Sequence, residues 1–194
     1  LPRLPGGAQV AGANLESRGF LALPETRRAE PPERLEKVLV AFGGEDPQGL
    51  GPRTARALVD RGLFRPEAIS LVSGALNSGK GRAPEGVAVL GHVQNLKESL
   101  ASYDLVITQF GLTAFEAAWA RCAVLLVNPS AYHARLAGLA GFLSAGTGKP
   151  DLRLLARLIR DPEALARFAS RAAPEELRLP AWSSRPRMKP IPEP

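Results

Sequence analysis

From Asp104 to Pro129 the chain reads DLVITQFGLTAFEAAWARCAVLLVNP: a short apolar run, a glycine turn, a stretch with helical spacing and a second short apolar run. Runs this short cannot bury a helix and show no polar alternation, so they predict strands covered on both faces. Two such strands joined through a helix pair in parallel, because only a crossover connection returns the chain to the same edge. Apolar residues make up 45% of the 194, enough for the core of one domain.

The same alternation extends on both sides. KVLVAFGG from Lys37 predicts a first strand ending at Gly43-Gly44, and Pro52 suits the first turn of a helix running to about Gly62. Further strands are predicted at 68–72, 87–90, 104–108 and 123–127, with a short sixth at 142–144. Helical spacing is predicted over 93–103, 113–121 and 131–139, and again after the candidate caps Asp151 and Asp161. The fold class is therefore α/β: a doubly wound, mostly parallel, Rossmann-like sheet of about six strands with helices on both faces. Residues 1–35, interrupted by Pro and Gly, read as a linker or strap leading into this domain, which occupies 36–178. Residues 179–194 form a Pro-rich tail with Trp182 as its one anchor.

Composition excludes several classes. No apolar run approaches the roughly 20 residues that span a bilayer, and the N-terminus lacks the order of a signal peptide, so a cytoplasmic protein without a transmembrane segment is expected. The net charge is +6, but the 25 basic residues are overwhelmingly Arg and scattered, with no aromatic signature beside them, so no nucleic-acid partner is expected. A single Cys and two His, distant from one another in sequence, predict neither a disulfide nor a metal site. Cys122 reads as a small core residue. The chain opens on Leu1 and its single Met is Met188, which reads as a segment of a longer protein.

In a doubly wound sheet, ligands sit beyond the carboxyl ends of the strands. The turn at Phe110 to Thr113 would there present free N–H groups and a positive helix end to an anion. Gly111 lets the backbone approach closely, and the Thr113 hydroxyl either joins the anion or caps the helix. Glu116, one turn inside, either accepts from two vicinal hydroxyls or is a solvated residue favoured by the dipole. Gly43-Gly44 faces the same end or merely closes its strand, since no GxGxxG or P-loop Lys completes a stand-alone motif. Glu45-Asp46 followed by Pro is first of all a turn signal and only secondarily a carboxylate pair. His133 is a weak catalytic candidate beside a surface-helix reading, and His92 would offer its backbone rather than its ring.

FGGEDP from Phe42, GHVQNLKESLASYD from Gly91 and DLVITQFGLTAFEAAWA from Asp104 resemble, in this order, the C-terminal nucleotide-binding half of a GT-B glycosyltransferase of the family 28 type. The twelve positions from Asp104 to Glu116 are nearer the spacing of the UDP-sugar hydrolase of pseudaminic acid synthesis. The resemblance covers about residues 10 to 170 and includes GANLESRGFLALPE from Gly12. It implies that Gly43 and Gly44 face the diphosphate and cleft, and that Val93 offers backbone groups to uracil with Leu96 beside the base. Gly111, Leu112 and Thr113 would hold the diphosphate, and Glu116 the two ribose hydroxyls. The implied partners are a UDP-sugar and an N-terminal domain of the same protein; no resident cofactor is implied. Phe110 departs from the family's first Gly and Leu112 from its Ser, while Tyr132 and His133 replace its sugar-binding amides. Those departures fit an alternative: a degenerate nucleotide-sugar fold kept as a non-catalytic binding or interaction module.

Overall fold

A computed structural model of the chain describes residues 23–74, 81–91 and 93–161. Six strands form one sheet: β1 (Val38–Ala41), β2 (Ile69–Val72), β3 (Ala88–Leu90), β4 (Leu105–Thr108), β5 (Ala123–Asn128) and β6 (Ser144–Thr147). Their order is β3-β2-β1-β4-β5-β6, and each pairing between neighbouring strands of this sheet is parallel. The intervening helices are α1 (Leu50–Asp60), α2 (Leu96–Ser99), α3 (Leu112–Trp119), α4 (Ala131–Leu139) and α5 (Leu152–Ile159). The expected α/β doubly wound architecture is therefore what the chain forms, and the sheet is parallel throughout.

Strand alternation divides the core in two. Val38 and Val40 of β1, Leu105 and Ile107 of β4 and Leu125 of β5 pack with α1 and α5 on one face. Leu39, Val106, Val124 and Leu126 pack with α3 and α4 on the other, which also buries Cys122. Strands β1, β4 and β5 are buried along their whole length, which is why they read as unbroken apolar runs. Burial pushes the Cys122 thiol up to about 12, and its Sγ lies 3.1 Å from Leu100 O. It is a packed, unreactive residue.

The largest departures from the expected boundaries are in α2 and β6. The helix expected over 93–103 shrinks to α2 and a 3-10 turn at Leu100–Ser102, because Asn95 precedes it in the left-handed region, φ 55°. The sixth strand starts at Ser144 rather than at 142, since Phe142 is drawn into the second core against Phe115. Helix α1 begins at Leu50, with Pro52 inside its first turn. The helix expected after Asp161-Pro162, the tail from 179, Trp182, His92 and the first 22 residues lie outside the described residues.

The described part of the strap is fastened to the domain. Arg28 N donates to Ala120 O at 3.2 Å and Trp119 Nε1 to Pro24 O at 3.1 Å. Glu98 Oε2 accepts from the amides of Glu25 and Thr26, and Arg28 pairs with Asp104 at 3.0 Å.

On α1, Thr54 is fully buried and its hydroxyl finds no hydrogen-bond partner among the described residues. Valine keeps the β-branched shape and removes the orphaned group. Thr54→Val is expected to raise stability by about 1 kcal/mol, read as a higher urea midpoint; a lower midpoint would mean that the hydroxyl is satisfied in solution.

Candidate functional site

Strand β1 lies between β2 and β4, so the chain winds outward from it in both directions. The crevice at this switch point is bounded by the loop after β1, running from Phe42 to Gly49, and by the turn after β4, Gln109 to Gly111. Three amide side chains brace its rim. Gln109 Nε2 donates to Phe42 O at 3.2 Å, tying the two loops together. Asn128 Oδ1, at the end of β5, accepts from Phe110 N at 3.0 Å, and Gln48 Nε2 donates to Pro129 O at 3.1 Å. Sequence reasoning did not single out these residues. The one available signal is that Gln109 and Asn128 are each a polar residue closing an apolar run.

Two helices point their N-termini toward this edge, and they differ. Asp46, only 7% exposed, accepts from Leu50 N at 2.8 Å and from Gly51 N at 2.7 Å with separate oxygens. A resident carboxylate thus occupies the positive end of α1, which gives Asp46 its role as a turn and cap residue. At α3 the N-cap is Gly111, with extended backbone, no side-chain cap and no acid in the first turn. Thr113 is the second helical residue, so the capping alternative for it is ruled out. Among the described residues the amides of Leu112 and Thr113 meet no acceptor and are left for an outside one, while Ala114 N donates back to Gly111 O at 3.1 Å.

The sequence-predicted residues distribute along this edge. Gly43 takes φ +84°, a conformation side chains rarely adopt, and is exposed beside Gln109. A Cβ on Gly44 or Gly111 would meet nothing within 4 Å. Internal packing explains neither glycine, whereas a ligand close to the backbone would. Leu112 is 65% exposed at the open helix end. Val93 follows β3, and Leu96 opens α2, packed against the second core. Glu116 is half-buried on α3 facing α2. Desolvation raises its carboxyl above the ordinary value; Lys97 opposes that shift and Glu98 adds to it.

His133 sits in the first turn of α4, its Nδ1 2.8 Å from the Oγ of the N-cap Ser130, with the Tyr132 ring edge-on at 5.7 Å. Gly43, Gly44, Val93, Gly111 to Thr113 and His133 all lie beyond the carboxyl ends of β1, β3, β4 and β5, in the loops that follow them or in the first turns of α3 and α4. Among the described residues no group of three metal-ligating side chains converges.

Phe110 does not fill the turn. Its ring packs edge-on against Phe115 and Phe142 at centroid distances of 5.7 and 6.2 Å, so the second core takes up its bulk. The backbone of the turn is positioned from the other side by Asn128.

No protein-family model matches the sequence, and neither does any curated protein. Among solved structures the chain is similar to the glycosyltransferase SnogD from Streptomyces nogalater, at 21% identity and TM-score 0.49 over 78% of this chain and 40% of that one. It is similar to the glycosyltransferase SsfS6 from Streptomyces sp. SF2575, at 24% identity and TM-score 0.46 over 81% and 42%. A third is the spinosyn forosaminyltransferase SpnP, at 22% identity and TM-score 0.47 over 75% and 40%. The chain thus spans about two fifths of the length of these proteins.

Proposed function

We propose that the chain is the UDP-sugar-binding, C-terminal half of a GT-B type glycosyltransferase or nucleotide-sugar hydrolase, whose N-terminal domain completes the active site. The observation that carries this reading is the contrast between the two helix ends at the switch point. Asp46 fills that of α1, while that of α3 is open, flanked by Gly111 and followed one turn later by Glu116. The open helix end offers the amides of Leu112 and Thr113 at short range to a diphosphate, and stabilises the negative charge that grows on it as the sugar–oxygen bond breaks. Glu116, as a carboxylate, accepts from both ribose hydroxyls. Val93 and Leu96, beside α2, line the uracil end. In this reading the domain binds and orients the leaving group, and groups from both domains act on the sugar carbon.

Calorimetric titration with a UDP-sugar tests this. Saturable binding that Glu116→Ala weakens at least tenfold supports the reading; no heat at millimolar ligand, or unchanged affinity in the variant, rejects it. The pH dependence is a further expected outcome. Only the carboxylate form of Glu116 accepts two hydroxyls, and its pKa is raised. Affinity should therefore fall as pH is lowered through that raised value, and begin to fall at a higher pH than an ordinary Glu would cause. A UDP-sugar has no terminal phosphate to titrate, so the profile reports on the protein, and Glu116→Gln should flatten it. Unliganded stability has the opposite sign. The fold holds this proton more tightly than the unfolded chain does, so the Glu116 contribution diminishes as pH rises.

A second reading, a binding module without turnover, is favoured by the exposed Leu112 and Tyr132, which put apolar surface where the family has small or amide donors. It predicts no sugar release from UDP-sugars even when the N-terminal domain is present.

A further inference from the structure

We propose that the groove between α1 and the turn from β6 into α5 binds a soluble ligand with closely spaced phosphates, at a site separate from the switch-point crevice. Helices α1 and α5 cover the same face of the sheet. Two clefts between them, of about 310 and 540 Å³, share Arg61, Lys149, Pro150 and Leu152 in their walls and so form one continuous groove. Five cations line it: Arg53, Arg56 and Arg61 from α1 and its end, and Lys149 and Arg153 from the α5 side. In the sequence these two sets lie nearly ninety positions apart, and only the tertiary fold brings them to one place.

No contact ion pair neutralises these cations among the described residues, although the Asp151 carboxylate lies within electrostatic reach of Arg153. Asp60 and Asp151 also line the groove, but neither forms an ion pair with any of the five among the described residues. The Asp151 carboxylate instead accepts from Arg153 N and Leu154 N as the cap of α5, each at 3.0 Å. Two of the guanidinium groups are held in place by backbone acceptors. Arg53 Nη1 donates to Gly148 O at 3.2 Å and Arg56 Nη2 to Arg82 O at 3.1 Å. Among the described residues neither guanidinium makes a further hydrogen bond, and fixing a long side chain beforehand lowers the entropic cost of binding.

The lining narrows the chemistry. Guanidinium forks suit phosphate oxygens, and several cations around one groove suit several adjacent negative charges. No aromatic side chain lines either cleft, so bases of a single strand would find nothing to stack on. The large apolar side chains exposed among the described residues are Val89, Leu112, Tyr132 and Leu139, all outside the groove. A lipid surface would have no apolar anchor there. A free oligophosphate satisfies the groove without either.

The test is titration of the whole chain with inorganic tripolyphosphate at low ionic strength. Arg61→Glu and Lys149→Glu are each expected to weaken binding at least tenfold. Arg135→Glu, the same charge change at an exposed position of α4 on the opposite face, is expected to weaken it less than twofold. All three positions are exposed, so unfolding midpoints should match that of the parent. Equal losses in the three variants would reduce the effect to net charge and overturn the proposal, as would the absence of heat at millimolar tripolyphosphate. Binding confined to duplex DNA or to vesicles bearing phosphorylated headgroups would overturn it as well.

Discussion

Gly74→Ala is expected to cost about 3 kcal/mol of stability, the upper end of what overpacking usually costs, and to disturb the nucleotide crevice at the same time. A Cβ at this position would lie 2.4 Å from Gly44 O and 2.5 Å from Gly43 O. Both obstacles are backbone atoms, which cannot swing aside as a flexible side chain can. Either the chain leaving β2 moves away from β1, or the Gly43-Gly44 loop moves toward β4, where Gln109 holds it through Phe42 O. The urea midpoint reads the first effect and UDP-sugar affinity the second. Gly44→Ala is the paired control. Its Cβ would meet nothing within 4 Å, so stability should change by no more than about 0.5 kcal/mol, while nucleotide affinity falls because the methyl stands in the crevice. A stable Gly74→Ala protein with full affinity would show that the two loops are not in contact.

Asn128 has the second large effect. Its side chain is fully buried and every polar atom is used: Oδ1 accepts from Phe110 N at 3.0 Å, and Nδ2 donates to Ser144 Oγ at 3.0 Å. The Ser144 hydroxyl in turn donates to Gly146 O at 3.3 Å. Asn128→Ala removes an acceptor and a donor together, leaves Phe110 N without a partner and opens a cavity, so a loss of about 2 to 4 kcal/mol is expected. Asn128→Asp is the more instructive variant. The carboxylate still accepts from Phe110, but it is buried without a cation, and burial raises its pKa. The folded state then binds the proton more tightly than the unfolded state. The variant should therefore be weakest at neutral pH and recover relative to the parent as pH falls through the raised value, the Glu116 contribution being common to both. The difference in urea midpoint between variant and parent across pH measures this; a constant difference would mean that the site is wet. Nucleotide affinity of Asn128→Asp should drop further at neutral pH, since its charge stands behind the turn proposed to meet the diphosphate.

Both residues show how far the sequence could be read. VLVA, LVIT and AVLLVN announced themselves as strands because a parallel strand covered on both faces needs no polar side chain, and hydrophobic continuity is visible without any partner. Asp151 was legible as a cap because capping is local: the amides that donate to it lie two and three residues away. The open turn at Gly111 and the carboxylate at Glu116 were legible for the same reason, as strand, turn and helix are contiguous.

The site's other properties depend on residues far apart in the chain. Phe110 looked like unwanted bulk in the turn, and only its packing on Phe142, thirty-two positions on, removes it from the crevice. The need for a glycine at Gly74 comes from the carbonyls of Gly43 and Gly44, in the loop of a different strand. Scattered Arg looked like composition until α1 and the α5 turn put five cations around one groove. By itself the sequence determined the alternation of strands and helices, the parallel sheet and the edge at which the candidate turns lie, because periodicity and local hydrogen bonding act within a few residues. Tertiary structure decided which helix end stays open, how the turn is braced and where charge accumulates, because those depend on which distant side chains reach the same place.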